Sequence, residues 1–198
     1  MRNLGHAITS LIDDSLLVGK TQTETVAVTI DTIKTFDSLG FLVHNEKSQL
    51  VPTQEITYLG FVINSTKTTR TLTEERKQKV MQTCIDLLRQ KRPKIRSVAS
   101  CIGLVVSSLP GVRLGQLHYT GLEWDKNSTL HEKGGNWERY MAVSAKGRGD
   151  LLWWTQHMPQ QRAEIEVRPP SVSLTADSSQ MEWGTVKRYG LSEGTSIS

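Results

Sequence analysis

The 198-residue chain contains only two cysteines and no long apolar run, and both shortages limit what it can be. Cys84 and Cys101 lack metal-ligand spacing, and no secretory signal is visible, so they are predicted to be reduced thiols of an intracellular protein. No segment approaches the roughly 18 apolar residues that cross a bilayer, so no membrane partner is expected. The 37% apolar and 22% charged residues form a globular mixture, sufficient for one domain or parts of two.

Positive charge is concentrated in the middle of the chain. Residues 70–113 carry ten basic and three acidic side chains, a net charge of +7. Residues 1–69 have a net charge of −2, and residues 114–198 a net charge of −1. Such a segment can neutralise phosphates, although a solvated helix face is the commoner explanation of a charge run.

The apolar periodicity predicts a mixed α+β fold. Residues 11–19 are typical of a β-hairpin, because two short apolar runs flank a pair of aspartates. Residues 21–39 have helical spacing, with a capping box at the start and Gly40 at the end. The apolar positions of that helix are Val26, Ile30, Ile33 and Phe36. Residues 41–43 and 58–63 are predicted to be strands.

Later segments predict helices followed by a β-hairpin within residues 172–189. One helix begins at Thr73, another spans about 97–109, and residues 112–158 are predicted to be helical but interrupted by glycines. Because Trp153 and Trp154 are adjacent, one is expected in the core and the other partly exposed. We therefore predict four segments: a partial palm, a helical thumb and connection, a linker, and a short hairpin unit. Their bounds are 1–69, 70–158, 159–171 and 172–198.

Asp13 and Asp14 are the sharpest local chemical feature. Paired carboxylates on a rigid hairpin offer the hard oxygen ligands that Mg²⁺ prefers, and two-metal phosphoryl transfer requires such ligands. Aspartate also tolerates turn geometry, so the two residues could simply form the turn. Considered alone, the pair leaves both interpretations open.

The order of these features resembles the C-terminal half of a reverse transcriptase. The acidic hairpin resembles the catalytic Tyr-x-Asp-Asp motif of that family, and Lys47 lies in a segment that resembles the next palm motif. A primer-grip-like hairpin follows, formed by Tyr58, Leu59, Gly60 and Phe61. The basic helices then correspond to a thumb that tracks the nucleic-acid backbone. Its candidate phosphate contacts are Arg89, Lys91, Arg92, Lys94 and Arg96.

Further residues are similar to the reverse transcriptases of DIRS-type, tyrosine-recombinase retrotransposons. The similarity lies in residues 96–111, in His118-Tyr119 and in Trp153-Trp154. In that group a ribonuclease H domain follows the thumb. Residues 175–179 resemble its opening strand, and Asp177 resembles its first catalytic aspartate.

The resemblance implies RNA-directed DNA polymerisation in the parent protein. Asp13 and Asp14 would help to hold two Mg²⁺ ions, with Mn²⁺ as a substitute, and Lys47 would assist departing pyrophosphate. The implied partners are an RNA template, a DNA primer and deoxynucleotide triphosphates.

The sequence departs from the family pattern near the acids. Leu11 replaces the aromatic residue of the motif, and only twelve residues precede Asp13, whereas the first metal-binding aspartate of the family lies well upstream. Asp177 likewise lacks its partner acids. We therefore expect a fragment that is inactive as an isolated chain. The alternative is a non-catalytic remnant or a domesticated nucleic-acid-binding module.

Overall fold

The computed structural model describes residues 7–165, 172–178 and 183–189, with side chains described for 7–165. The chain falls into two compact units, Met1–Ile165 and Glu166–Ser198. The strands are β1 (Ala7–Leu11), β2 (Asp14–Val18), β3 (Glu55–Tyr58), β4 (Phe61–Asn64), β5 (Thr69–Leu72), β6 (Ala163–Glu164), β7 (Val172–Ser178) and β8 (Trp183–Tyr189). The α-helices are α1 (Gln22–Ser38), α2 (Glu74–Arg89), α3 (Ile95–Ser108), α4 (Thr120–Glu132) and α5 (Ala145–His157).

Strands β1 and β2 form the predicted acidic hairpin. They pair antiparallel, with Ala7 opposite Val18 at one end and Leu11 opposite Asp14 at the other. The turn therefore consists of Ile12 and Asp13, and Asp14 is the first residue of β2. Ile12 has a φ of +53°, which an isoleucine adopts only under the constraint of a tight turn.

Helix α1 is bounded by local signals that the sequence predicted. The Thr21 hydroxyl accepts a hydrogen bond from the Glu24 amide, and the Glu24 carboxylate accepts one from the Lys20 amide. At the other end the Gly40 amide donates to the Asp37 carbonyl and the Phe41 amide to the Phe36 carbonyl, which together form a Schellman motif. The rings of Phe36 and Phe41 lie 6.1 Å apart and complete it.

The buried face of α1 differs from the predicted one. Val28 and Thr32 are buried, whereas Val26 and Ile30 are 39% and 46% exposed. The threonines account for much of this difference, because they bond the carbonyls four residues earlier and so need no solvent. The predicted strand at 41–43 is wrong: these residues form no strand, and Leu42 is 96% exposed.

Strands β3 to β6 form a four-stranded antiparallel sheet in chain order. The predicted strand at 58–63 is in fact a hairpin, because Leu59 and Gly60 turn the chain with φ values of +50° and +78°. Consecutive positive φ values are typical of the two-residue turns that match strand twist. Strand β6 lies at the start of the segment predicted to be a linker, so this part of it belongs to the sheet.

The four later helices enclose the main core of the first unit. Helix α2 begins at the predicted cap, where the Thr73 hydroxyl accepts from the Arg76 amide. The core joins apolar residues of α2, α3, α4 and α5 to the sheet. Its buried members include Leu72, Val80, Cys84, Leu87, Ile95, Val98, Cys101, Ile102, Val105, Leu122, Met141, Leu151, Trp154 and Met158.

The two adjacent tryptophans divide as predicted. Trp154 is 1% exposed and its indole N–H donates to the His118 carbonyl. Trp153 is only partly buried, and its ring stacks with those of His118 and His157 at centroid distances of 4.0 and 4.9 Å. Helices α4 and α5 are also joined through the buried carboxylate of Asp150, which accepts from two amides at the start of α4.

In the second unit, β7 and β8 form the predicted antiparallel hairpin, with Asp177 opposite Gly184. The α+β fold class is confirmed. Within the described residues, no helix combines the length and apolar character needed to cross a bilayer.

Candidate nucleic-acid interface and acidic hairpin

Asp13 and Asp14 are both exposed at the end of the β1–β2 hairpin. The hairpin beside them is supported by a hydrogen bond of 2.8 Å between the hydroxyls of Ser10 and Ser15. Leu11, at the position before the turn, is 54% exposed. The two carboxylates are therefore accessible to a cation or a nucleic acid in solution.

The acidic hairpin contacts the β3–β4 hairpin, called the second hairpin below, through a side chain. The hydroxyl of Tyr58, the last residue of β3, donates to the backbone carbonyl of Asp14 at 3.5 Å. The two residues are 44 positions apart in sequence. The structure thus brings together one predicted metal ligand and one residue predicted to belong to the primer grip.

Lys47 lies in an exposed turn, where its amide donates to the His44 carbonyl. Its ammonium group makes no ion pair within the described part of the chain. The folded structure therefore supplies no contact that joins Lys47 to the two aspartates, and its assignment to the site remains a prediction.

The turn of the second hairpin is held by Arg76, a residue of α2. Its guanidinium donates to the Leu59 carbonyl at 3.0 Å. It also donates to the Ser107 carbonyl and hydroxyl, both at 2.9 Å, so it joins the hairpin to the end of α3. Gly60 has a φ of +78°, which favours glycine, and a Cβ there would lie 2.7 Å from Arg76 Nη1, so a larger residue would also displace this guanidinium.

Phe61 lies against two guanidinium groups. Those of Arg76 and Arg70 are 5.1 and 5.8 Å from the ring centroid, within cation–π range. Arg70 also donates to the Pro110 carbonyl at 2.7 Å, and a Cβ on Gly111 would meet the Phe61 ring at 3.2 Å. The predicted primer-grip hairpin and the neighbouring strand β5 therefore contact Pro110 and Gly111, which follow α3.

The five predicted phosphate contacts fall into two groups. Arg89, Lys91 and Arg92 are exposed around the end of α2. Arg89 has a loose pair with Asp86 at 3.9 Å, and the other two make no ion pair within residues 7–165. These three cations are accessible to phosphate without breaking a close contact.

Lys94 and Arg96, the other group, are already paired with one acid. Both bind the carboxylate of Glu138, Lys94 at 3.1 Å on one oxygen and Arg96 through Nε on the other. The hydrogen bond from Arg96, and after it the bond from Lys94, lowers the pKa of the Glu138 carboxyl below its ordinary value. The acid therefore stays ionised at neutral pH.

Three residues at this interface were not predicted from the sequence: Arg76, Glu138 and Arg139. Arg139 lies beside α3 because its carbonyl accepts from the Ile95 amide. Each of the three acts across 17 or more residues of sequence, and no local pattern encodes such a pairing. The excess of positive charge in residues 70–113 predicts a basic surface and nothing about its acidic partners, and Glu138 lies outside that segment.

The donor set at the hairpin fits part of a magnesium site. Carboxylate oxygens are the ligands that Mg²⁺ prefers, and it is held through one or two of them in phosphoryl-transfer enzymes. Within residues 7–165 no group of three or more acidic, histidine or cysteine side chains could hold a metal ion. Asp177, the predicted ribonuclease H residue, lies on β7, and its side chain is outside the described part.

Comparison with known proteins agrees with this architecture. No family model matches the chain. An alignment 111 positions long, which covers 54% of this chain, shows 35% identity to the Gag-Pol polyprotein of avian reticuloendotheliosis virus and covers 9% of that polyprotein.

The structural match extends further along the chain. A solved structure of the foamy viral protease-reverse transcriptase, in complex with double-stranded DNA, is similar with a TM-score of 0.58. The similarity covers 87% of this chain and 28% of that protein, at 19% sequence identity. The chain therefore has the fold of part of a reverse transcriptase, and it spans a small share of both proteins.

Proposed function

We propose that this chain is part of a reverse transcriptase, carrying two metal-binding carboxylates and a nucleic-acid-binding thumb. The observation that carries the proposal is the contact between Tyr58 and Asp14, which joins the acidic hairpin to the second hairpin within a reverse-transcriptase fold. The retroviral Gag-Pol similarity supports the same class.

The chemistry assigned to the chain is RNA-directed DNA synthesis. Asp13 and Asp14 would help to hold Mg²⁺, which would supply positive charge to the primer hydroxyl and to the triphosphate leaving group. Tyr58 fixes the backbone at Asp14 and so orients the carboxylates. Lys47 supplies positive charge toward the departing pyrophosphate. A further acid from elsewhere in the parent protein completes the metal site.

The basic surface is assigned to an RNA–DNA hybrid formed by template and primer. Arg89, Lys91 and Arg92 neutralise phosphates, and phosphate contacts carry no base information, so binding is independent of sequence. The foamy viral neighbour was solved with double-stranded DNA, which supports a duplex as the partner.

Two finer assignments follow from the resemblance. The first is membership of the DIRS-type group, supported by Ile102-Gly103-Leu104 and Trp153-Trp154. The second is that the β7–β8 hairpin opens a ribonuclease H domain, with Asp177 as its first acid. The register of that hairpin, which opposes Asp177 to Gly184, supports a strand-borne acid.

The alternative function is nucleic-acid binding without catalysis. It is favoured by one observation: the described residues supply two adjacent acids and no larger metal-ligating cluster. The two candidates share the basic surface and differ in whether the carboxylates bind metal.

A metal titration tests the proposal on the chain itself. Mn²⁺, a paramagnetic substitute for Mg²⁺, is added during NMR measurements while amide line widths are followed. We expect broadening centred on residues 12–15, lost in Asp13→Asn and Asp14→Asn. Asp37→Asn, an exposed acid of α1, is the matched control and should leave the broadening in place.

Binding of an RNA–DNA hybrid is measured in parallel at several salt concentrations. Replacing the five basic residues of the predicted interface by Ala should weaken binding and flatten the salt dependence. Metal binding without hybrid binding would contradict the thumb assignment. Hybrid binding without metal binding would favour the non-catalytic alternative.

A further inference from the structure

The N-terminal end of α3 carries two cations whose arrangement goes beyond the proposed function. Lys94 and Arg96 donate to different oxygens of the same carboxylate, that of Glu138. A phosphodiester also offers two oxygens and one negative charge, so it can accept the same two donors. Both cations and the acid are exposed, with side-chain exposures of 46%, 67% and 55%.

Backbone hydrogen bonds hold Glu138 beside Lys94 and Arg96. The Ile95 and Arg96 amides donate to the carbonyls of Arg139 and Trp137, at 2.9 and 3.0 Å. The Met141 amide donates to the Pro93 carbonyl at 2.9 Å, and both of these residues are buried. The segment 137–141 is therefore fixed along the start of α3, independently of the ion pairs.

The same backbone bonds exclude anion binding by free backbone amides at the start of α3. Two amides of the first turn of α3 are already bonded to carbonyls, and those carbonyls place partial negative charge at the helix start. An anion at this end must therefore be bound by the side chains of Lys94 and Arg96. Exposed ion pairs are weak, so a phosphate of a bound strand can displace the carboxylate.

We infer that Lys94 and Arg96 form a phosphate-binding site that Glu138 occupies in the free protein, as an internal competitor of nucleic acid. The inference rests on the proposed nucleic-acid binding and adds a means of weakening it. In the free chain the two cations release few counterions to an incoming strand, because the carboxylate already neutralises part of their charge.

The test is Glu138→Gln, measured with a fluorescent RNA–DNA hybrid over a range of salt concentrations. The amide retains the shape and removes the charge, and the backbone bonds of the segment are untouched. We expect hybrid binding to tighten by about 3- to 10-fold. The slope of log affinity against log salt concentration should become steeper by the amount that about one to two additional phosphate contacts would give. Adding Lys94→Ala and Arg96→Ala to this variant should cancel the gain.

Glu132→Gln is the matched control, because Glu132 is exposed and makes no ion pair within residues 7–165. It changes the net charge equally but should leave the slope unchanged. Equal tightening by Glu132→Gln and Glu138→Gln would reduce the effect to net charge and overturn the inference.

A second measurement uses inorganic phosphate as the probe and the Arg96 Nε resonance as the readout. Phosphate should shift this resonance at lower concentration in Glu138→Gln than in the unaltered chain. If no variant binds the hybrid but phosphate still shifts the Arg96 resonance at lower concentration in Glu138→Gln, the anion site stands and the proposed function fails. If the unaltered chain binds hybrid and Glu138→Gln changes neither readout, the function stands and this inference fails.

Discussion

The acidic-hairpin region, residues 7–50, and the helical region, residues 74–158, bury very different amounts of apolar surface. Among residues 7–50, Val28 is the one apolar side chain that is buried, whereas Leu11, Ile12, Ile30 and Leu42 are exposed. The helical region encloses a continuous core from Val80 to Met158. Because apolar burial is the main source of folding free energy, the helical region is expected to be much the more stable.

This difference separates the two tasks proposed for the chain. The helical region supports the second hairpin, whose turn is held by Arg76, and it also carries the basic surface. The acidic hairpin contacts the second hairpin through the Tyr58 hydroxyl, in a hydrogen bond of 3.5 Å. The predicted metal ligands therefore lie on the less stable region, and the predicted phosphate contacts lie on the more stable one.

The largest effect is expected in a primer-extension assay, which tests the predicted metal ligands of the acidic-hairpin region. The 198-residue chain alone should extend no primer, because in-line transfer needs both metal ions fixed, and a 1 Å error can cost about 100-fold. Supplied with an upstream palm-and-fingers segment from a related reverse transcriptase, it should gain activity. Asp13→Asn should then abolish that activity. Extension by the isolated chain, or an active Asp13→Asn enzyme, would contradict the assignment of the site.

Truncation of the core tryptophan tests the helical region. Trp154→Ala should lower the free energy of unfolding by about 3–5 kcal/mol, since Trp154 is 1% exposed and fills the core. Trp153→Ala should cost less, because its ring is only partly buried. Urea denaturation measures both. Trp124→Ala is the control: this side chain is 75% exposed, so a change within about 0.5 kcal/mol is expected.

The junction between hairpin and helices gives a smaller effect. Arg76→Ala removes the bonds to Leu59 and Ser107 and leaves their carbonyls without this donor, at an expected cost of about 1–3 kcal/mol. Arg89→Ala, at a side chain that is 75% exposed, should change the unfolding midpoint little. Equal midpoints for the two variants would show that the junction does not contribute to stability.

The smallest effect is expected on the outer face of α1. Ile30→Ser should change the free energy of unfolding by no more than about 0.5 kcal/mol, because Ile30 is 46% exposed. Val28→Ala, on the buried face of the same helix, should cost measurably more. If Ile30→Ser were the more damaging change, the face assignment of α1 would be reversed.

Elements governed by neighbouring residues were predictable from sequence. The ends of α1 follow from Thr21, Glu24 and Gly40, which act within one turn of the helix. The start of α2 at Thr73 has the same origin. Sequence also predicted that Trp153 and Trp154 divide between core and surface, because adjacent positions on a helix point about 100° apart.

Elements that depend on distant partners were not predictable. Residues 41–43 have strand-like composition but form no strand, because β-structure requires a neighbouring strand to satisfy its amides. The face of α1 was assigned wrongly at Val26 and Ile30, although Ile33 and Phe36 are partly buried as predicted, since the threonines that line the covered side look polar in sequence. Sequence located Arg96 as a cation and had no means of finding its partner, 42 residues away.

The sequence by itself therefore determined the ends of α1, the start of α2, the β1–β2 and β7–β8 hairpins, the acidic pair and the location of the basic segment. Each depends on residues that are close along the chain, where capping bonds, turn preferences and charge spacing act. Only the tertiary structure decided that Tyr58 contacts Asp14, that Arg76 holds the second hairpin, and that Glu138 pairs with two of the five cations. Those contacts join residues 17 to 44 positions apart, and packing of the helices and sheet brings them together.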